Sequence, residues 1–410
     1  MAAPAPAPLA MMAALIENPY PVYAMLRSTQ PVFQVPIPVD VGAGVWLLTR
    51  YAEVQQVLRD PAYTVDRRSA DAMQLNRDRL PAAILGEGGG LLRSMLMMDP
   101  PDHTRVRSLV NKAFTPRRVA ALRPRIEAIA AELLAAPARA GALDVIGDLS
   151  GPLPAIVIAE LLGVPSKDHR LFRQWAADLV SFTGAIGSDE DPDERFNRGY
   201  RPLADYLKGV IAERRAEPRD DLISAMVVAQ EDRDALSDEE MLATSVLLLI
   251  AGHETTTNLI GNGMLALLQN PDQLARLRAE PELLKSAIEE MLRYDSPVQG
   301  TARVALADVE VGGVAVRKGA LLFTAVGAAN RDPEVFESPD RFDVGRRENR
   351  HLSFGFGAHF CLGAPLARLE AEVAFQALFE RFPNPKLASE KLERRPSPIL
   401  RGLLALPLRA

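Results

Sequence analysis

The chain has 410 residues, 48% of them hydrophobic and 24% charged, with a net charge of −6 and a single cysteine. That is enough apolar material for a large core, and the negative balance argues against nucleic acid as a partner. One thiol excludes an internal disulfide and a sulfur-built zinc site, and it suits a reducing cytoplasm.

Residues 1–15 are expected to lack fixed structure, since Met1–Leu9 alternates Ala and Pro, and residues 16–410 are expected to form one domain. No Lys or Arg precedes Arg27, so the basic start of a secretory signal is missing. Helical spacing of apolar residues predicts helices over Tyr51–Arg59, His103–Ala113, Val119–Leu134, Leu153–Leu161, Lys167–Leu179 and Phe196–Arg215. It predicts four more over Asp238–Gln269, Pro271–Ala279, Pro281–Tyr294 and Leu362–Phe382. Strand-like alternation is confined to Val32–Val35, Val45–Thr49, Val309–Val311, Val314–Val316 and Leu321–Val326. The chain therefore reads as mainly α with a small β region, and with no internal linker or repeat one domain is the better reading.

Four places along the chain carry chemistry. His103 and Arg107 are four apart, on one helical face able to clamp a carboxylate. Ser245–Leu268 is apolar except for Ala251-Gly252-His253-Glu254-Thr255-Thr256-Thr257-Asn258. On a helix Leu248, Ala251, Gly252, Thr255 and Leu259 share a face, small residues open space beside the Thr255 hydroxyl, and Glu254 is placed to relay protons. The competing reading is a core helix whose hydroxyls bond back to carbonyls four residues earlier. A zinc-protease motif at His253-Glu254 fails because Thr257 stands where histidine is needed. Glu290 and Arg293 are three apart, a pairing worth little by itself. Arg303 begins a strand-like alternation soon afterwards.

The fourth place is Phe354-Gly355-Phe356-Gly357-Ala358-His359-Phe360-Cys361-Leu362-Gly363. Glycines admit close approach of backbone to a bulky group, Phe354 and Phe360 supply apolar walls, and His359 is placed to hold an anionic part of the same ligand. Leu362, Leu366, Leu369, Val373 and Ala377 then recur at helical spacing, which puts Cys361 in the first turn of a helix, where thiolate is favoured. Burial, nucleophilic attack and metal ligation all remain open for this sulfur on the residues alone.

The pattern Phe354-x-x-Gly357-x-His359-x-Cys361-x-Gly363 resembles the haem-binding loop of the cytochromes P450, and the resemblance runs from about Asn18 to the C-terminus. It implies the P450 fold and haem b with Cys361 as axial thiolate. It further implies a cofactor-binding set of His103, Arg107, Ala251, Arg303, Phe354, His359, Cys361 and Gly363, with Thr255 and Glu254 as the proton-delivering alcohol and acid. Glu290 and Arg293 would lock to Arg341 and brace the cysteine loop. The implied function is a bacterial-type monooxygenase, cytoplasmic and monomeric, that inserts one oxygen atom from dioxygen into a lipophilic small molecule such as a polyketide, terpenoid, steroid or fatty acid. No nucleotide-binding motif is present, because Gly86-Glu87-Gly88-Gly89-Gly90 lacks the lysine of a phosphate loop, so electrons would come from a separate ferredoxin and its reductase. The longest apolar run is too short for a membrane anchor. A peroxide-driven peroxygenase and a non-catalytic haem carrier or sensor are the other readings. Pocket walls are expected from Thr64–Met98, Phe182–Asp191, Leu248–Ala251, Pro297–Gln299 and Ile399–Leu400, with the stretch before His103 as a lid.

Overall fold

The computed structural model describes residues 8–36, 42–66, 93–181, 192–229 and 235–409. Most of the expected Thr64–Met98 wall and lid, and all of Phe182–Asp191, lie outside the described residues.

The molecule is organised around the helix Asp238–Gln269, 32 residues long. Its start is set by a capping box: Glu240 N donates to Ser237 Oγ at 3.2 Å, and Ser237 N donates to Glu240 Oε2 at 2.9 Å. Asp238, Glu239 and Glu240 add negative charge where the helix dipole is positive. Beyond that turn most side chains are buried, as expected of a helix that crosses a core. Around it pack the helices Pro152–Leu161, Pro192–Ala216, Leu284–Tyr294 and Ala364–Arg381. Gly261 and Gly263 allow that closeness, since a Cβ there would stand 2.5 Å from Ile146 Cδ1 and 2.6 Å from Met291 Sδ.

Several polar residues of the 251–258 stretch have a structural use. A π-helical turn, Val145–Ser150, leads into the helix Pro152–Leu161. Thr257 Oγ1 donates to the Ser150 carbonyl at 2.9 Å, and His253 Nε2 lies 3.1 Å from the Gly151 carbonyl. The central helix thus satisfies backbone acceptors at a junction where regular helical bonding is broken.

The β region stands apart from the helical bulk and has its own apolar cluster, which includes Leu48, Val54, Val311 and Leu322. Its main sheet runs β1 (Val32–Gln34), β2 (Val45–Leu48), β8 (Leu321–Thr324), β5 (Thr301–Ala305) and β3 (Tyr63–Thr64). The β2–β8 pair is parallel and the others antiparallel, with Arg303 of β5 opposite Leu322 of β8. A hairpin of β6 (Val309–Val311) and β7 (Val314–Val316) turns at Gly312 and Gly313, both with positive φ. A third sheet joins β4 (Ala142–Asp144), β10 (Pro407–Arg409) and β9 (Lys386–Leu387).

The predicted helices are present: Tyr51–Arg59, Asp238–Gln269 and Pro271–Ala279 have the ends expected, and the others have shifted ends. The stretch predicted as Val119–Leu134 breaks at Leu122 and then continues as Arg123–Ala140, ending on Gly141 in the left-handed conformation. The unstructured start expected for residues 1–15 meets a helix over Pro8–Glu17, where Met11 is buried against Leu26 and Phe33.

Candidate active site

Phe354–Gly363 forms a tight loop ahead of the helix Ala364–Arg381. Gly355 and Gly357 both take φ +75°, and a Cβ on Gly357 would stand 3.1 Å from the Leu58 carbonyl. Cys361 N donates to Phe354 O at 2.8 Å, and Phe360 N donates to Gly357 O at 3.1 Å. The helix has Gly363 as its N-cap, so Cys361 lies just ahead of the helix and not in its first turn. Leu362 misled the periodicity because it packs on the core from within the turn.

The expected preference for thiolate is also corrected for the chain by itself. The Cys361 side chain opens to solvent on one side but is crowded by protein on the others. That burial pushes the thiol pKa up, and the Gly363 N–H, Arg107 and the Ala364 N–H pull it only partly back.

Beside this loop the expected cations converge. His103, on the helix Asp102–Ala113, stacks near His359 with ring centroids 4.2 Å apart. Arg107 Nη2 donates to the Phe360 carbonyl at 2.5 Å. Arg303 is buried on β5, and its charge reaches His359. Burial first, then His103, Arg303 and Arg107, push the His359 pKa down to about 3. Burial and Arg107 lower His103 as well. His103 is only 2% exposed, and both its ring nitrogens lack a hydrogen-bond partner. Buried polar atoms are rarely left unpaired without cause. A cluster of two arginines and two histidines held neutral by burial and repulsion, with orphaned ring nitrogens on His103 and an accessible sulfur beside it, fits a ligand that carries carboxylates and a metal. The propionates and iron of haem meet that description.

On the central helix the predicted face is open. Ala251 is exposed and Leu248, Gly252 and Thr255 are half-buried, while the flanking turns are closed; Leu259, expected on the same face, is buried in the core. Thr255 Oγ1 donates to the Ala251 carbonyl at 2.7 Å, the bond expected of the structural reading, yet the residue borders the opening. Glu254 leaves the helix in another direction. It is buried, with Arg395 Nε 2.7 Å from its Oε1. Burial raises its pKa, against the opposing pull of Arg395 and Asn258.

Three features escaped the sequence reading. Arg368 grips Glu289 through two bonds of 2.6 and 2.7 Å, His351 adds a third contact at 3.0 Å, and the Arg368 guanidinium lies 4.5 Å from the Phe354 ring centroid. Glu370, fully buried beside Thr256, has its carboxyl pushed up to about 8 by burial. The third partner of the Glu290–Arg293 pair is Arg346, whose Nε donates to Glu290 Oε2 at 3.0 Å. Arg341 offers only its backbone carbonyl, which accepts from Arg293 at 3.1 Å. Local spacing identified the pair, but the chain bends after Phe342 and brings the later arginine inward.

Among the described residues no helix is long and apolar enough to cross a membrane, and no group of three His, Cys, Asp or Glu side chains forms a metal site. The family model for cytochrome P450 matches residues 193–405. Cytochrome P450 107B1 of Saccharopolyspora erythraea is 46% identical over 399 residues, covering 94% of each chain. The structure of the bacillaene polyketide synthase cytochrome P450 PksS of Bacillus subtilis superposes with a TM-score of 0.86 at 39% identity, covering 96% of this chain and 97% of that one. P450BioI in complex with an acyl carrier protein bearing hexadec-9Z-enoic acid superposes at 0.87 and 37% identity, covering 98% and 99%. With its fold, its cysteine loop and these relatives in agreement, the chain belongs to the cytochromes P450 and is a P450 monooxygenase.

Proposed function

We propose that this protein holds haem b through Cys361 and inserts one oxygen atom into a lipophilic small molecule, with electrons from a separate ferredoxin and its reductase. The observation that carries the reading is the cluster of His103, Arg107, Arg303 and His359 beside Cys361, with both His103 nitrogens unpaired inside the protein. Bound there, haem supplies the activation of dioxygen and the transfer of one of its atoms.

The chain's own residues do the rest. Arg107, Arg303, His103 and His359 take the two carboxylates, which offset the burial and the repulsion that hold His359 neutral. Arg107 bonds the Phe360 carbonyl and ties that clamp to the cysteine loop. Phe354, flanked by Phe360 and Arg368, forms one apolar wall of the cysteine loop. Ala251 and Gly252 keep the central helix low at its open face, and the Thr255 hydroxyl holds a proton beside that space. Glu254 is the acid that passes protons inward from the surface. Leu248–Ala251, Pro297–Gln299 and Ile399–Leu400 form apolar pocket wall.

Relatives that serve polyketide synthesis or take a carrier-bound fatty acyl chain support a substrate class of polyketides or acyl chains. A monomer in a reducing cytoplasm fits a chain with one thiol. Cys361→Ser should abolish the red-shifted carbon monoxide band of the reduced, haem-loaded protein, and an unchanged band would refute the ligand assignment. Turnover with ferredoxin and reductase, with peroxide, and with neither tells the monooxygenase from a peroxygenase and from a haem carrier.

A further inference from the structure

The acid of the central helix is held by a segment that also borders the pocket. Residues 393–404 form a hairpin: Arg394 bridges Leu403, Leu404 N donates to Glu393 O at 2.9 Å, and Arg395 N donates to Gly402 O at 3.1 Å. The returning strand is fixed as soon as it leaves the tip, where Arg401 N donates to Pro297 O at 2.8 Å. Asn262 Nδ2 donates to the Arg401 carbonyl at 2.8 Å, and Arg401 Nε donates to Asp295 Oδ1 at 2.6 Å. Gly402 lies so close to Asn258 that a Cβ would stand 1.8 Å from Asn258 Oδ1. The tip is held differently. It carries half-buried Ile399 and Leu400 and rests on the strip after the helix Leu284–Tyr294, with Gln299 N donating to Ile399 O at 2.7 Å and Val298 bridging Leu400.

Between tip and base, Arg395 reaches Glu254. Their contact is short, 2.7 Å, but off the hydrogen-bond axis, and neither Glu254 Oε1 nor Arg395 Nε has an aligned partner. Asn258 lies beside the same carboxyl with both side-chain amide atoms buried and unpaired. Arg395 is the charged group that faces Glu254; its neighbour Arg394 turns to Asp295 at 3.5 Å, and His253 turns to the Gly151 carbonyl. The Arg395 side chain is 31% exposed against 3% for Glu254, so the arginine stands between the buried acid and solvent. An under-satisfied cluster of this kind is one that a small displacement can rearrange, and Asn258 already stands beside the carboxyl.

We propose that Arg395 is a positioning residue for Glu254, and that the hairpin 393–404 carries contact at its apolar tip to that carboxyl. This rests on the reading of Glu254 as the proton-delivering acid. A lipophilic ligand pressing on Ile399 and Leu400 moves the tip and, through Ser397 Oγ, which accepts from Ile399 N and Leu400 N at 3.3 and 3.1 Å, the segment just after Arg395, while the paired strands stay joined. The Glu254–Arg395 contact loosens, and the carboxylate takes up one proton from solvent while Arg395 keeps its own. Proton supply is thereby tied to an occupied pocket.

The test is an infrared titration of the ferric, haem-loaded protein, with the Glu254 carboxyl band identified by its loss in Glu254→Gln. Arg395→Ala should move the protonation of that band to higher pH, and Arg395→Lys should largely restore it. An apolar ligand that produces the high-spin shift should move the band in the unaltered protein. That movement should be lost in Ile399→Ala/Leu400→Ala at ligand saturation, with occupancy checked by the same spin shift. An unmoved titration in Arg395→Ala, or a full ligand response in the trimmed tip, overturns the inference. Either result leaves the haem assignment standing, since that stands or falls on the carbon monoxide band of Cys361→Ser.

Discussion

The cysteine loop and the open turn of the central helix are built on opposite principles. Around Cys361 the backbone closes on itself, Phe354 O accepting from Cys361 N, and Arg368, Glu289 and His351 interlock behind it. Around Glu254 the contacts are incomplete, with an ion pair out of alignment and the Asn258 amide beside the carboxyl without an aligned bond. In the proposed function the cysteine loop must hold one geometry, so satisfied bonds suit it. The proton relay proposed at Glu254 must exchange partners, and a group locked by perfect bonds on all sides exchanges slowly.

The largest break in this contrast comes from the buried Glu290–Arg293 pair, both 0% exposed and joined at 2.7 Å, which supports the segment leading to the cysteine loop. Arg293→Ala leaves Glu290 buried with its main partner gone and should destabilise the fold by about 3–5 kcal/mol. Chemical denaturation and the fraction of haem retained on purification measure this.

A smaller effect tests the loop brace. Burial opposes ionisation of Glu289, but Arg368 and His351 hold its carboxyl down, from an ordinary 4.5 to about 2. A lowered folded pKa means the stabilisation is complete above pH 4.5 and is lost as pH falls through about 2. In Arg368→Ala the acid loss of haem, followed by absorbance, should begin at higher pH than in the unaltered protein.

The smallest effect on the fold belongs to Thr255→Ala, which removes a hydroxyl at the open face and should alter stability by no more than about 1 kcal/mol. Its signature is chemical: reducing equivalents should go to peroxide and away from product, while haem and substrate binding persist. Full coupling in this variant would mean that the Ala251 bond is the hydroxyl's whole role.

How much of this was legible beforehand depends on distance along the chain. The cysteine loop, the acid and alcohol at 254 and 255, and the pair at 290 and 293 are local patterns, and local patterns survive in a linear sequence. That His103, Arg303 and His359 stand together follows from the resemblance alone, because nothing in their own neighbourhoods marks them as neighbours of one another. The start of the helix at Ala364 was misjudged because Leu362 buries its side chain from a turn as well as it would from a helix.

By itself, then, the amino-acid sequence determined the mainly helical architecture, the one sulfur with its glycine-bracketed loop, and the polar turn within an apolar helix, since periodicity and backbone permissiveness act over a few residues. Only the tertiary structure decided that Arg346 and not Arg341 completes the buried pair, that Arg368 backs the loop, and that Arg395 meets Glu254. Each of these depends on where distant segments come to lie, and one guanidinium in a sequence looks like any other until folding strips its water and leaves it a single carboxylate to face.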